Sequence, residues 1–233
     1  MLCGCILNIP SISLAVPSQL NTPVIAEANN ASSASTSFTI SGGTNRILII
    51  RVYGWNDPSA WTTSSCTYNS VGLTKLIETQ FSTFTTSLWI LINPSTGSNT
   101  ATCTFSTSVD EGGIIINSYQ DVHQTTATGT GVAGTGTSTA PTVNCSSASD
   151  ELVIDLLTSW GTGSVTIGSG QTMEFEDNYS PGNRESAWGS SETGSGTTTM
   201  SWTLTNGNEW IETCLPLKPV SGGGPSLKLY WGD

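Results

Sequence analysis

Cations are the scarcest groups in this chain. Six Lys and Arg face seventeen Asp and Glu, a formal net charge of −11 across 233 residues. A phosphate backbone is held by clustered cations, whereas Arg46, Arg51, Lys75, Arg184, Lys218 and Lys228 are scattered. Nucleic acid is therefore not an expected partner, and the same charge argues against anionic membrane surfaces. No apolar run approaches the roughly 20 residues of a membrane-spanning helix, so no membrane partner is expected. Helical periodicity is lacking throughout. Histidine is reduced to His123 alone, with no nearby thiol and no zinc-type spacing around it. Charge of either sign is low, at 10% of residues, against about 25% in average soluble proteins.

What is present is Ser, Thr, Asn and Gly between short β-branched and aromatic runs, the pattern of strands separated by turns. In residues 46–53, Leu48, Ile50 and Val52 share one face, read as core, while Ile49, Arg51 and Tyr53 share the other. In residues 100–105, Ala101, Cys103 and Phe105 alternate with three threonines, as a half-solvated antiparallel strand requires. Met200, Trp202 and Leu204 repeat that arrangement. The fold class expected is all-β: an antiparallel two-sheet β-sandwich, jelly-roll-like. It would carry an extended N-terminal arm over 1–34, one sandwich domain over 35–220, and a Gly-rich linker with a C-terminal strand over 221–233.

RILIIRVYGW at 46–55 is answered by ELVIDLLTSW at 151–160, and residues 99–120 by 197–218, at an offset near one hundred residues. Duplication reads this pattern, and so does the generic likeness of any two antiparallel hairpins. Residues 125–140 have almost no large apolar side chain and read as a long connection or exposed β-edge. The N-terminal residues lack a positive n-region and are interrupted by Pro10 and Pro17, so they are not read as an export signal. Of the six cysteines, Cys66, Cys103, Cys145 and Cys214 fall in strand patterns and are read as buried free thiols.

The candidates for chemistry are few. His123 would have to serve a Ser/His/Asp triad, but no GxSxG motif accompanies it. Glu174 and Glu176 flank Phe175, and Glu151 and Asp155 share a strand face, as in sandwich-fold glycosidases that place acids along one face. The acidic turns at Asp110-Glu111-Gly112 and Glu176-Asp177-Asn178 offer oxygen ligands without a full calcium set. No catalytic residue, metal or cofactor is expected. Trp55, Trp61, Trp160 and Trp188 fall at strand ends or loops, where indoles stack on sugars or plug an interface. Leu227, Leu229, Tyr230 and Trp231, beyond a Gly-rich tether, read as assembly contacts.

The succession FTISGGTNRILIIRVYGW, CTYNSVGLTKL, SLWILINPSTGSNTATCTF, INSYQDVHQ, DELVIDLLTSW and WIETCLPLKP resembles a β-sandwich module of phage virion proteins and of large surface proteins of environmental bacteria. Tyr68-Asn69 at a turn, Pro94, the 119–122 strand end and Lys218-Pro219 carry the likeness, and Ser70 departs from the glycine expected after Tyr-Asn. The resemblance implies a non-enzymatic structural protein of a phage virion, a capsid decoration or fibre-type component. It would be a homo-oligomer in contact with other virion subunits. The alternative is a carbohydrate-binding or adhesion module at the cell surface or outside the cell, with a cell-surface glycan as partner. A sandwich-fold glycosidase is third.

Overall fold

The computed structural model describes residues 15–161, 164–178 and 185–220. The predicted assembly contacts Leu227, Leu229, Tyr230 and Trp231, and the first part of the expected arm, lie outside them. The described residues form seventeen strands and no helix, so the all-β antiparallel expectation holds.

The first nine strands are β1 (Ser18–Glu27), β2 (Ala31–Ile40), β3 (Ile47–Trp55), β4 (Thr63–Tyr68), β5 (Val71–Gly72), β6 (Thr74–Phe81), β7 (Phe84–Ile92), β8 (Gly97–Val109) and β9 (Glu111–Gln120). They make a sheet in the order β1-β9-β3-β7-β6 and a second in the order β2-β8-β4-β5. Apart from the hairpins β4–β5 and β6–β7, successive strands cross between the sheets, the double Greek-key winding of a jelly roll. Between the sheets Leu48, Ile50, Val52, Trp61, Ala101, Cys103 and Phe105 form one apolar core.

The remaining strands repeat that plan. They are β10 (Val132–Gly136), β11 (Thr142–Ser147), β12 (Leu152–Trp160), β13 (Val165–Ile167), β14 (Thr172–Asp177), β15 (Glu185–Thr193), β16 (Gly196–Leu204) and β17 (Trp210–Leu217). Their sheets run β10-β17-β12-β15-β14 and β11-β16-β13, matching β1-β9-β3-β7-β6 and β2-β8-β4 strand for strand. Their own core holds Val143, Val153 and Met200, with Leu157, Trp188, Trp202 and Trp210 beyond. The echo in the sequence is a structural duplication. One core over 35–220 therefore gives way to two, and 125–140 becomes the joint between them, with β10 as an edge strand on β17. The expected arm is also shorter, because β1 pairs along β9 and β2 along β8.

The five-stranded sheets of the two sandwiches lie back to back. Ile47, Ile49, Leu88 and Ile115 of the first meet Ile154, Leu156, Phe175 and Leu215 of the second in a third apolar layer. Hence β3 is buried along its whole length, and the face with Ile49, Arg51 and Tyr53 is a seam rather than a solvated surface. β6 packs on β10 and β17 while β1 packs on β14, and Trp55 meets its own counterpart Trp160 with ring centroids 5.3 Å apart. That reciprocity is the signature of an approximate two-fold between the halves.

The cysteines are a correction. Cys66 on β4 lies directly opposite Cys103 on β8 and forms a disulfide with it. Cys145 on β11 reaches across the second core to Cys214 on β17. Alternation identified these side chains as buried, but pairing depends on register and sheet order, which spacing along the chain does not reveal.

Candidate functional site

Three of the four loop tryptophans are not available to a ligand. Trp61 is 1% exposed and Trp188 1%. Trp61 donates its indole N–H to the Gly54 carbonyl, and Trp188 to Glu176 Oε1 at 3.4 Å. Trp55 is buried against Phe84 and Ile211. An indole at a strand end turns inward when a neighbouring sheet supplies apolar cover, and the seam supplies it. Of the four, only Trp160 is half-exposed, in T-shaped contact with Trp55 and with Phe84 at 5.8 Å.

The paired-carboxylate candidates are parted by a register shift between Met173 and Phe175, where β14 pairs with β15. Glu174 points into the seam, its side chain 1% exposed, while Glu176 is exposed on the other side. Arg51 Nη2 donates to Glu174 Oε2 at 2.9 Å and to Tyr119 Oη at 3.0 Å, and Nη1 to Asn117 Oδ1 at 2.5 Å. Tyr119 donates its hydroxyl to the same Glu174 oxygen at 2.6 Å. Burial pushes the Tyr119 phenol well up, so it stays a donor. This network ties the first sandwich to the second. Nearby, Tyr53 donates to Asp177 across the same seam.

The other pair is also separated. Glu151 accepts from the Ala148 N–H at 2.9 Å and closes a turn. Asp155 is fully buried in the second core and accepts from Ser190 N at 2.5 Å, Ser190 Oγ at 2.9 Å and Trp202 Nε1 at 2.9 Å. Burial raises its carboxyl to about 7, against those three donors. His123 Nδ1 accepts the N–H groups of Thr125 and Thr126 at 3.1 and 3.0 Å, which makes it a turn cap. Asp110 accepts from the Asp57 N–H, and Glu176 and Asp177 face opposite partners. No three potential metal ligands converge among the described residues.

Two open clefts stand out: one of about 560 Å³ at Thr128, Ser147, Glu151 and Lys218, with no aromatic side chain among its described lining, and one beside Trp160. The latter, at the rim of the second sandwich, measures about 340 Å³ and is lined by Thr137, Trp160, Gly207, Asn208 and Glu209. Thr137 follows β10, Trp160 ends β12, and the other three belong to the β16–β17 loop. The Trp160 N–H donates to the Glu209 carbonyl at 3.1 Å, and Asn208 Nδ2 to the Trp160 carbonyl at 2.5 Å. The sequence reading found Trp160 and missed Thr137, Asn208 and Glu209; the Asn206-Gly207-Asn208 turn after a Thr-alternating strand was the available signal. No family model matches the chain, and neither curated proteins nor solved structures give a match.

Proposed function

We propose that this chain is a non-enzymatic structural protein of a virion, a capsid decoration or fibre-type component displayed on the particle. The observation that carries this reading is the doubled, disulfide-stapled jelly roll in which Glu174, Asp155, Glu151 and His123 are each engaged in packing or turn closure. Jelly rolls recur in capsid and lectin domains. Disulfides persist in oxidising surroundings, including virion surfaces. The outer strands add a weakly charged exterior, for Thr100, Thr104, Thr199 and Thr203 point outward from β8 and β16.

Partners in this reading are other virion subunits and further copies of the chain, reached through the terminal segments. The test is the mass of the assembled species in solution, full-length beside a chain of residues 15–220, which keeps every described strand. Oligomers that become monomers on trimming, with the full-length protein found on purified particles, support the proposal. A full-length monomer that no particle retains overturns it.

A further inference from the structure

The duplication allows each site to be compared with its own counterpart. In the first sandwich Trp55 ends β3 directly opposite Glu111 on β9. In the second, Trp160 ends β12 beside Glu209, joined through the backbone. Asn29 follows β1 as Thr137 follows β10. The same constellation of indole, carboxylate and small polar side chain therefore occurs at the same place in both repeats.

The two copies differ in access. Around Tyr53, Glu111 and Gly112 the first copy leaves only about 10 Å³, and Trp55 is 7% exposed. There β8 and β9 are joined through Asp110 alone. In the second copy residues 205–209 separate β16 from β17, and this longer loop, held to the end of β12 by the Trp160–Glu209 and Asn208–Trp160 hydrogen bonds, lines a cleft of about 340 Å³. That volume is at the small end of ligand clefts, about 300–1,000 Å³.

We propose that this second cleft binds one unit of a neutral glycan, with Trp160 as the stacking surface and Glu209, Asn208 and Thr137 as hydroxyl partners. A pyranose has an apolar C–H face and a rim of hydroxyls, which suits a half-exposed indole beside amide, hydroxyl and carboxylate groups. The Glu209 carboxylate accepts only, and charge-assisted hydrogen bonds from sugar hydroxyls are about twice as strong as neutral ones. None of the described residues that line the cleft is a cation, and the chain carries −11, so uronates and sulfated sugars are disfavoured. This inference is independent of the virion reading, which does not use the Trp160 cleft.

The experiment is retardation of the full-length protein in native gels containing a soluble β-glucan, a galactomannan or a xylan, with alginate as the anionic control. Retardation by at least one neutral polymer and not by alginate is expected. Trp160→Ala and Glu209→Gln should each weaken it by about tenfold or more, as loss of a charge-assisted hydrogen bond or a stacked ring implies. Because Trp160 also packs on Trp55 and Phe84, Glu209→Gln and Thr137→Val are the variants expected to keep the unfolding midpoint unchanged. No retardation by any neutral polymer, retardation by alginate alone, or retardation untouched by Trp160→Ala and Glu209→Gln together overturns the proposal.

Discussion

The two sandwiches share a winding and differ in what fills them. In the first, β3 places Ile50 inward, between Trp89 of β7 and Ile116 of β9, and Trp61 folds over Gly54, where a Cβ would stand 2.4 Å from the ring. In the second, Asp155 takes the place of Ile50, Ser159 that of Gly54, and a crevice lined by Ser159, Val165, Trp188 and Leu204 remains where Trp61 sealed the first. Glu212 is a second acid in that core, fully buried, with neither carboxyl oxygen hydrogen-bonded. The disulfides differ as well: Cys66–Cys103 joins neighbours within one sheet, whereas Cys145–Cys214 joins the two sheets. One winding thus tolerates an apolar core or a partly polar, cross-linked one.

The largest effect is expected at the seam that makes the comparison one molecule. Arg51→Ala leaves Glu174 buried without its ion pair and should cost up to about 5 kcal/mol, and calorimetry should resolve two transitions in it against one expected for the parent. A double replacement of Arg51 and Glu174 by Met should recover most of that loss. A single unchanged transition in Arg51→Ala would mean that the network does not couple the halves.

Next in size are the disulfides. The residues they close are separated by 37 and 69 positions, and loop-closure entropy gives each about 4 kcal/mol. Removing Cys145 and Cys214 should lower the urea midpoint of the whole protein, and in Arg51→Ala, where the halves unfold apart, should lower that of the second sandwich and leave the first, which keeps Cys66–Cys103, nearly in place.

The buried acids make the halves respond differently to pH. Asp155 sits at about 7 against an ordinary 3.8, raised by burial. Burial, then Asp155, pushes Glu212 well up. A carboxyl with a raised folded-state value binds its proton more tightly when folded, so its contribution is fully present below about pH 4 and is lost as pH rises through 7. Each such proton gives a slope of about 1.4 kcal/mol per pH unit. The second sandwich should therefore unfold more easily at pH 8 than at pH 5, and Asp155→Asn should remove about one proton from that slope. The smallest effect is at the β4–β5 turn, where Asn69 and Ser70 have φ of 50° and 61°. Ser70→Gly should stabilise the first sandwich by up to about 1 kcal/mol, because glycine carries no Cβ penalty there.

Strand identity was legible because period-two alternation is a local property. Thr100, Thr102 and Thr104 against Ala101, Cys103 and Phe105 sufficed for β8. The duplication was visible in 46–55 and 151–160, and the apolar run of β3, broken only by Arg51, was the sign of burial on both faces. What stayed hidden depends on long-range placement. The seam decides that Trp55 turns inward, a register shift parts Glu174 from Glu176, and sheet order pairs the cysteines. The Trp160 cleft was half-legible, since the indole stood at a strand end but its polar partners come from two other connections.

The most direct test of two separate, equivalent sandwiches is non-reducing peptide mapping of the four strand cysteines by mass spectrometry. The architecture predicts Cys66 linked to Cys103 and Cys145 linked to Cys214, each bond within its own repeat. A linkage between repeats, Cys66 or Cys103 to Cys145 or Cys214, would contradict it.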